Sequence, residues 1–202
     1  MADAARQIGA AALQMSYSSS YPWVMPTLVM DPAPAELDAL IERREALGLD
    51  HRDEVWEGVL HMIPPPNFAH EHLSSHLHRL LGPYADAADL YLVGTVGIGV
   101  KDNNRIPDLT LQRPQDAEPQ WQHTAGLVVE IVSPKDKSRD KFDFYAAHDV
   151  DEVMIVDPEK RTVDWFALQG GEYRPIERSG LIDLGPSELA DQIVWPPASP
   201  SS

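Results

Sequence analysis

The sequence predicts an α/β protein: one domain with a mixed central β-sheet flanked by helices. Three observations predict it. Strand-like runs and helix-like stripes follow one another as strand, helix, strands, helix, strands, a succession that a mixed sheet with helices accommodates. Residues 127–132 form an apolar run broken only by Glu130, the pattern of a strand covered on both faces. Residues 153–156 are a second such run, set off from the first by a charged helical interval.

Taken in order, residues 1–30 are rich in Ala, Ser, Tyr and Met without clear periodicity. They are expected to form a flexible N-terminal arm, with a fragment of helix at 3–14. The domain proper spans 31–195. Asp31-Pro32-Ala33-Pro34 opens a helix with a broken stripe of Leu37, Leu40, Ile41 and Leu47, and Gly48 stands at its C-cap. Residues 54–63 alternate as a strand, or as two strands bent at Gly58, and Pro64, Pro65 and Pro66 stop them. Leu73, Leu77, Leu80 and Leu81 recur at helical spacing, and Gly82-Pro83 is expected to end that helix. Residues 90–100 are β-rich, and Gly94, Gly97 and Gly99 suggest bulges or close backbone approach. Residues 101–105 turn into a strand at 106–112, and 114–124 read as a polar loop. A helix over 137–147 precedes the strand at 153–156. Residues 162–168 pair with 173–176 across Gly170-Gly171. The Pro, Ala and Ser tail from 196 to 202 is expected to be disordered.

The 202 residues suit one domain, and 43% hydrophobic with 24% charged residues is the balance of a soluble globular chain. The absence of cysteine excludes disulfides and thiolate metal sites. No apolar run approaches the roughly 20 residues that span a bilayer, and the N-terminal residues lack the basic and apolar regions of a signal peptide; a cytoplasmic location is expected. The net charge of −16 argues against binding nucleic acid through overall charge alone. It leaves room for a local basic groove. Lys135, Lys137, Arg139 and Lys141 form the densest basic cluster, for which a solvated helix face is the competing account.

Chemistry concentrates at Asp108 and Glu130. Each is an acid in an apolar strand-like run, where a carboxylate costs several kcal/mol unless a cation or hydrogen-bond donors compensate it. Neighbouring strands can bring the two together, and carboxylate oxygens with waters are what Mg²⁺ or Mn²⁺ prefers. The competing account has each acid capping a turn or pairing with a basic residue. Lys137, Lys141, Tyr145 and His148 fall on one helical face at spacings of four, four and three. Lys141 is either a positive charge for a scissile phosphate or a salt-bridge partner of Glu130 or Asp108. His70, His72, His76 and His78 crowd one helix, and His72 with His76 has the spacing of a zinc pair. No His-Glu-x-x-His is present, so a solvated or core-edge helix face is the better account.

Glu54-Val-Trp-Glu-Gly58, Pro64-Pro65-Pro66, His70, Pro107-Asp108, Val129-Glu130-Ile131-Val132-Ser133-Pro134, Lys141, Tyr145 and Val156-Asp157-Pro158 together resemble the Uma-type restriction endonuclease family. That family lies within the PD-(D/E)xK nuclease superfamily, and the likeness runs over about 53–168. The resemblance implies a restriction-endonuclease-like fold and a metal-dependent DNA endonuclease that hydrolyses phosphodiester bonds with a metal-activated water. It implies Asp108 and Glu130 as ligands of Mg²⁺ or Mn²⁺, Lys141 as the catalytic lysine, Glu54 as the acid before the first strand, and His70 near the first core helix. Two positions depart from the pattern. Val132 stands where the superfamily places its lysine, and Asp149 stands where the family has a glycine; aspartate tolerates the left-handed backbone better than most residues. Two further readings compete. One is a nuclease-fold binding or assembly module without catalysis, favoured by the acidity and Val132. The other, a β-barrel enzyme with histidine-bound metal, lacks the His-x-His it needs. A homodimer is expected for a nuclease that must reach both strands of a duplex, with Tyr17, Tyr21 and Trp23 of the arm available to an interface.

Overall fold

The computed structural model describes residues 28–30, 38–48, 50–116, 121–133 and 137–197. Most of the expected arm, with its helical fragment and Tyr17, Tyr21 and Trp23, lies outside them, as do Lys135 and the last residues of the tail. In chain order the elements are β1 (Leu28–Met30), α1 (Asp38–Ala46), β2 (Glu54–Trp56), β3 (Val59–Met62), α2 (Phe68–Ala87), β4 (Tyr91–Val93), β5 (Gly97–Val100) and β6 (Asn103–Arg105). There follow β7 (Leu109–Gln112), β8 (Trp121–Gln122), β9 (Leu127–Ile131), α3 (Phe142–Ala147), β10 (Glu152–Asp157), β11 (Thr162–Gln169), β12 (Glu172–Pro175) and α4 (Pro186–Gln192).

The mixed α/β class holds, but the strands divide between two six-stranded sheets. One runs β1-β3-β2-β6-β5-β8 and the other β12-β11-β10-β9-β7-β4. In each, a single neighbouring pair is parallel, β5 with β8 and β10 with β9. The division falls between β6 and β7. β6 folds back on β5 and pairs with β2 at Val55↔Asn104, and Pro107 just beyond has no N–H to continue a ladder. The strand expected at 106–112 therefore begins at Leu109, and Asp108 stands at its mouth.

Alternation along β9 explains why the second sheet is covered on both sides. Leu127, Val129 and Ile131 join α2 residues Leu73, Leu77, Leu81 and Ala85 in one apolar cluster with Met154, Val156 and Trp165. Val128 faces the other way, onto Phe144, Tyr145, Val150, Val153, Ile155 and Ile98. Glu130 shares that second face, because side chains two apart in a strand point the same way.

Several local expectations change. α2 runs through Gly82-Pro83 to Ala87. A proline inside a helix costs about 3 kcal/mol, and the complete burial of Leu81 and Ala85 on either side of it outweighs that cost. The 54–63 stretch is two strands, joined at Glu57 and Gly58 with φ of 49° and 86°, the pair of left-handed residues that a tight hairpin requires. Gly99 has φ +106°, and a Cβ there would lie 2.4 Å from the Asn103 carbonyl oxygen, which is the close approach its sequence suggests. Asp149 takes a left-handed φ of 51°. Part of the expected 114–124 loop forms β8 against β5. The helix expected over 137–147 is a 3-10 turn at Ser138–Lys141 followed by α3. The tighter turn changes the face it presents. Lys141 and Tyr145 converge on Glu130, while His148 meets the His123 carbonyl and Lys137 lies 5.9 Å from the Trp56 ring centroid.

Candidate active site

Three acids, Glu54, Glu130 and Asp108, meet four basic groups, Lys141, Arg105, Arg52 and His70. Glu54 opens β2 of the first sheet and is 3% exposed. Its Oε1 accepts from the Ile106 N–H at 2.7 Å and from Lys141 Nζ at 2.9 Å; its Oε2 accepts from Trp56 Nε1 at 2.7 Å. Glu130 lies in β9 of the second sheet. Lys141 Nζ donates to its Oε1 at 2.9 Å and its Oε2 at 3.1 Å, and the Tyr145 hydroxyl donates to Oε1. One ammonium thus ties an acid of one sheet to an acid of the other. Arg105, also buried, adds a second link, its guanidinium 4.3 Å from the Trp56 ring centroid and 4.2 Å from that of Phe144.

Asp108 adjoins this cluster through the backbone on both sides of Glu130. Its own N–H donates to the Val129 carbonyl at 3.0 Å, and its Oδ2 accepts from the Ile131 N–H at 2.8 Å. Its Oδ1 faces Arg52 Nη2 at 3.1 Å and His70 Nε2 at 3.3 Å. Arg52 also reaches Glu71 at 3.1 Å. The buried Nδ1 of His70 has no hydrogen-bond partner.

Burial and pairing set the charges. Burial above all, joined by the negative charges of Asp108 and Glu54, pushes Glu130 up to about 7, against the pull of Lys141 and the Tyr145 hydroxyl. For Lys141 burial works against charge, but Glu130 and Glu54 hold it above the ordinary lysine value. Burial also opposes the Asp108 carboxylate; the hydrogen bond and charge of His70, the Ile131 N–H and Arg52 outweigh it and keep the acid below its usual value. His70 is held above the ordinary imidazole value, since Asp108 overcomes the effect of burial.

Glu130 gives the stability a pH dependence of definite sign. Its raised value means that the folded chain keeps a proton the unfolded chain has released, between the ordinary 4.5 and about 7. Stability therefore falls as pH rises through that window, by on the order of 3 kcal/mol from this group. Glu130→Gln should flatten the melting temperature between about pH 4.5 and 5.5, below the range in which the unfolded-state imidazole of His70 releases its proton. Parallel melting profiles for variant and wild type would contradict this account.

All five sequence-predicted residues are therefore neighbours: Glu54, Glu130 and Lys141 in one cluster, Asp108 and His70 in the next. Arg52 and Tyr145 were not singled out as site residues and belong with them. Tyr145 lies four residues after Lys141, a spacing legible in the sequence; nothing in the spacing of Arg52 marks it. Val132 packs against the Phe144–Tyr145 cluster, and the ammonium bonded to Glu130 is that of Lys141.

Carboxylate oxygens are the donors that a hard divalent cation takes. Asp108 and Glu130 offer carboxylate oxygens, and the charge of Asp108 is among the causes that raise Glu130, a repulsion a cation between them would relieve. Arg52, His70 and Lys141 carry that compensation in the structure. Among the described residues no group of three or more His, Asp or Glu is arranged to hold a metal ion.

Two sheets flanked by helices, with buried acids at their meeting point, define a restriction-endonuclease-like protein. Residues 36–192 match the family model Uma2, described as "Putative restriction endonuclease", and the chain belongs to that family. Membership supports a nuclease-like function. Among solved structures it is similar to a protein from Anabaena variabilis ATCC 29413 described as a "putative nuclease belonging to DUF820". The TM-score is 0.57 at 14% identity, over 69% of this chain and 90% of that one; the likeness is one of fold. The type IIG restriction endonuclease BpuSI is similar at TM-score 0.39 and 15% identity, over 61% of this chain and 15% of that one. DrdV, solved with DNA, has TM-score 0.35 and 20% identity, over 55% and 10%. No curated protein matches the chain in sequence.

Proposed function

We propose that the protein is a metal-dependent DNA endonuclease that hydrolyses phosphodiester bonds, with Asp108 and Glu130 holding Mg²⁺ or Mn²⁺. The observation that carries this reading is the bonding of Asp108 to both residues flanking Glu130, which supports a shared cation between the two acids. Such a cation would supply a water of lowered pKa and offset charge on a phosphoryl oxygen. The chain's own residues do the rest. His70 and the Ile131 N–H orient Asp108; Tyr145 and Lys141 orient Glu130. Lys141, anchored also by Glu54, is the positive charge nearest the acids on the inner side, and Arg52 is the one on the outer side. The proposal includes a cytoplasmic location, in keeping with the lack of cysteine and of any described helix able to cross a membrane. It also includes a homodimer, so that two sites reach the two strands of a duplex; sedimentation at micromolar concentration showing only a 22.4 kDa species would remove the dimer.

Calorimetric titration with Mg²⁺ and Mn²⁺, paired with cleavage of supercoiled plasmid DNA, tests the reading. Binding of one or both metals together with nicking that a chelator abolishes is the expected result. A second reading, a nuclease-fold module that binds without cutting, draws on the engagement of Lys141 with both Glu54 and Glu130. Folded protein that binds DNA and leaves it uncut at every metal concentration would replace the first reading with the second.

A further inference from the structure

A cleft of about 380 Å³ opens beside Asp108, between α2 and the turn from β4 to β5. From α2 it takes Glu71, Ser74, Ser75, His78 and Arg79, and from the turn Gly94 and Thr95, with Asp108 also in its wall. Ser74 and His78 flank the buried stripe of Leu73, Leu77 and Leu81, and Ser75 and Arg79 lie further round the exposed side of the helix. The charges of the cleft are unequal in what answers them. Asp108 and Glu71 are both paired with Arg52. Arg79 has no carboxylate partner among the described residues; its Nη2 meets only the neutral-capable Nδ1 of His76, at 3.2 Å. In a chain of net charge −16, this exposed arginine, beside three hydroxyls and an imidazole that can also donate, lacks an anionic acceptor. A phosphate diester supplies one, through charge-assisted bonds to the guanidinium and ordinary ones to the hydroxyls.

We propose that this cleft is the track of the cut DNA strand, and that Arg79, helped by Ser75 and Thr95, holds a phosphate flanking the one at Asp108. The proposal rests on the nuclease reading and adds to it the positioning residues and the direction in which the strand leaves the acids. Arg79 acts here by positioning, not on the reacting atoms.

The test uses a fluorescent duplex bound in Ca²⁺ over a series of salt concentrations, with cleavage in Mg²⁺ and metal affinity measured alongside. Arg79→Ala should weaken DNA binding about 10-fold and lower the salt slope by roughly one, the mark of a lost phosphate contact. Gly94→Leu fills the cleft from a position where an added Cβ meets nothing within 4 Å, and should weaken binding with no loss of melting temperature. Both variants should keep wild-type divalent-metal affinity, because neither touches Asp108 or Glu130. Arg174→Ala, on β12 at the opposite edge of the sheet from β4, should bind as wild type does. Wild-type binding and salt slope in Arg79→Ala would overturn the cleft and leave the nuclease reading standing. Weakened binding in both cleft variants of a wild type that never cuts would keep the cleft and overturn the catalytic reading. A wild type that neither binds nor cuts DNA overturns both.

Discussion

Lys141→Ala should destabilise the fold by about 3–5 kcal/mol, the range for breaking a buried ion pair from one side. Its Nζ lies 2.9 Å from both Glu54 and Glu130, and those acids are 3% and 4% exposed. Removing the ammonium leaves Glu54 without its cation and pushes Glu130, already raised to about 7, further toward its protonated form. For a chain of this size the melting temperature should fall by roughly 6–20 °C. The loss should be smaller at acid pH, where Glu130 takes up a proton and its charge disappears. If the lysine also serves the reaction, cleavage by the folded fraction should drop by about 10²-fold or more, while metal affinity survives because an ammonium is no ligand. Melting curves, titration calorimetry and rates on the same preparation separate the two roles. Unchanged turnover per folded molecule would confine Lys141 to structure.

Asp108→Asn should abolish measurable divalent-metal binding and reduce cleavage by roughly 10³-fold, the scale of losing an essential electrostatic element of a site. The fold should suffer less than in Lys141→Ala. An asparagine oxygen can still accept from the Ile131 N–H, which Asp108 binds at 2.8 Å, and Arg52 keeps its partner Glu71. Metal affinity equal to wild type would take Asp108 out of the ligand set. Loss of affinity in Asp108→Asn with retention in Lys141→Ala is the pattern that assigns ligand and charge donor to different residues.

Much of this was legible beforehand. The apolar run at 127–132 marks a strand buried on both faces, and β9 is that strand, with Glu130 as its one acid. The leucines of α2 mark a helix, and Leu73, Leu77 and Leu81 are fully buried, with Leu80 at the edge. The periodicity failed where long-range packing decides the outcome. Pro83 reads as a stop because locally it is one, but the buried residues on either side carry the helix onward. A helix at 137–147 reads as one regular turn after another, yet its first turn is 3-10, and the side chains of Lys137 and His148 leave the face on which Lys141 and Tyr145 remain.

By itself the sequence determined the class of fold, the identity of the acids and the lysine, and their placement on or beside buried elements. For Asp108 and Glu130 that is a consequence of local patterning, since an acid in an apolar run is visible without knowing its neighbours; Glu54 is what the family resemblance implies. Only the tertiary structure decided how they are paired. Glu54 and Lys141 are 87 residues apart, and Arg52 and Asp108 are 56 apart, so no periodicity links them. Which cation answers which acid is an electrostatic matter settled within a few ångströms, after two sheets have closed on one another and excluded the water that would otherwise have answered both.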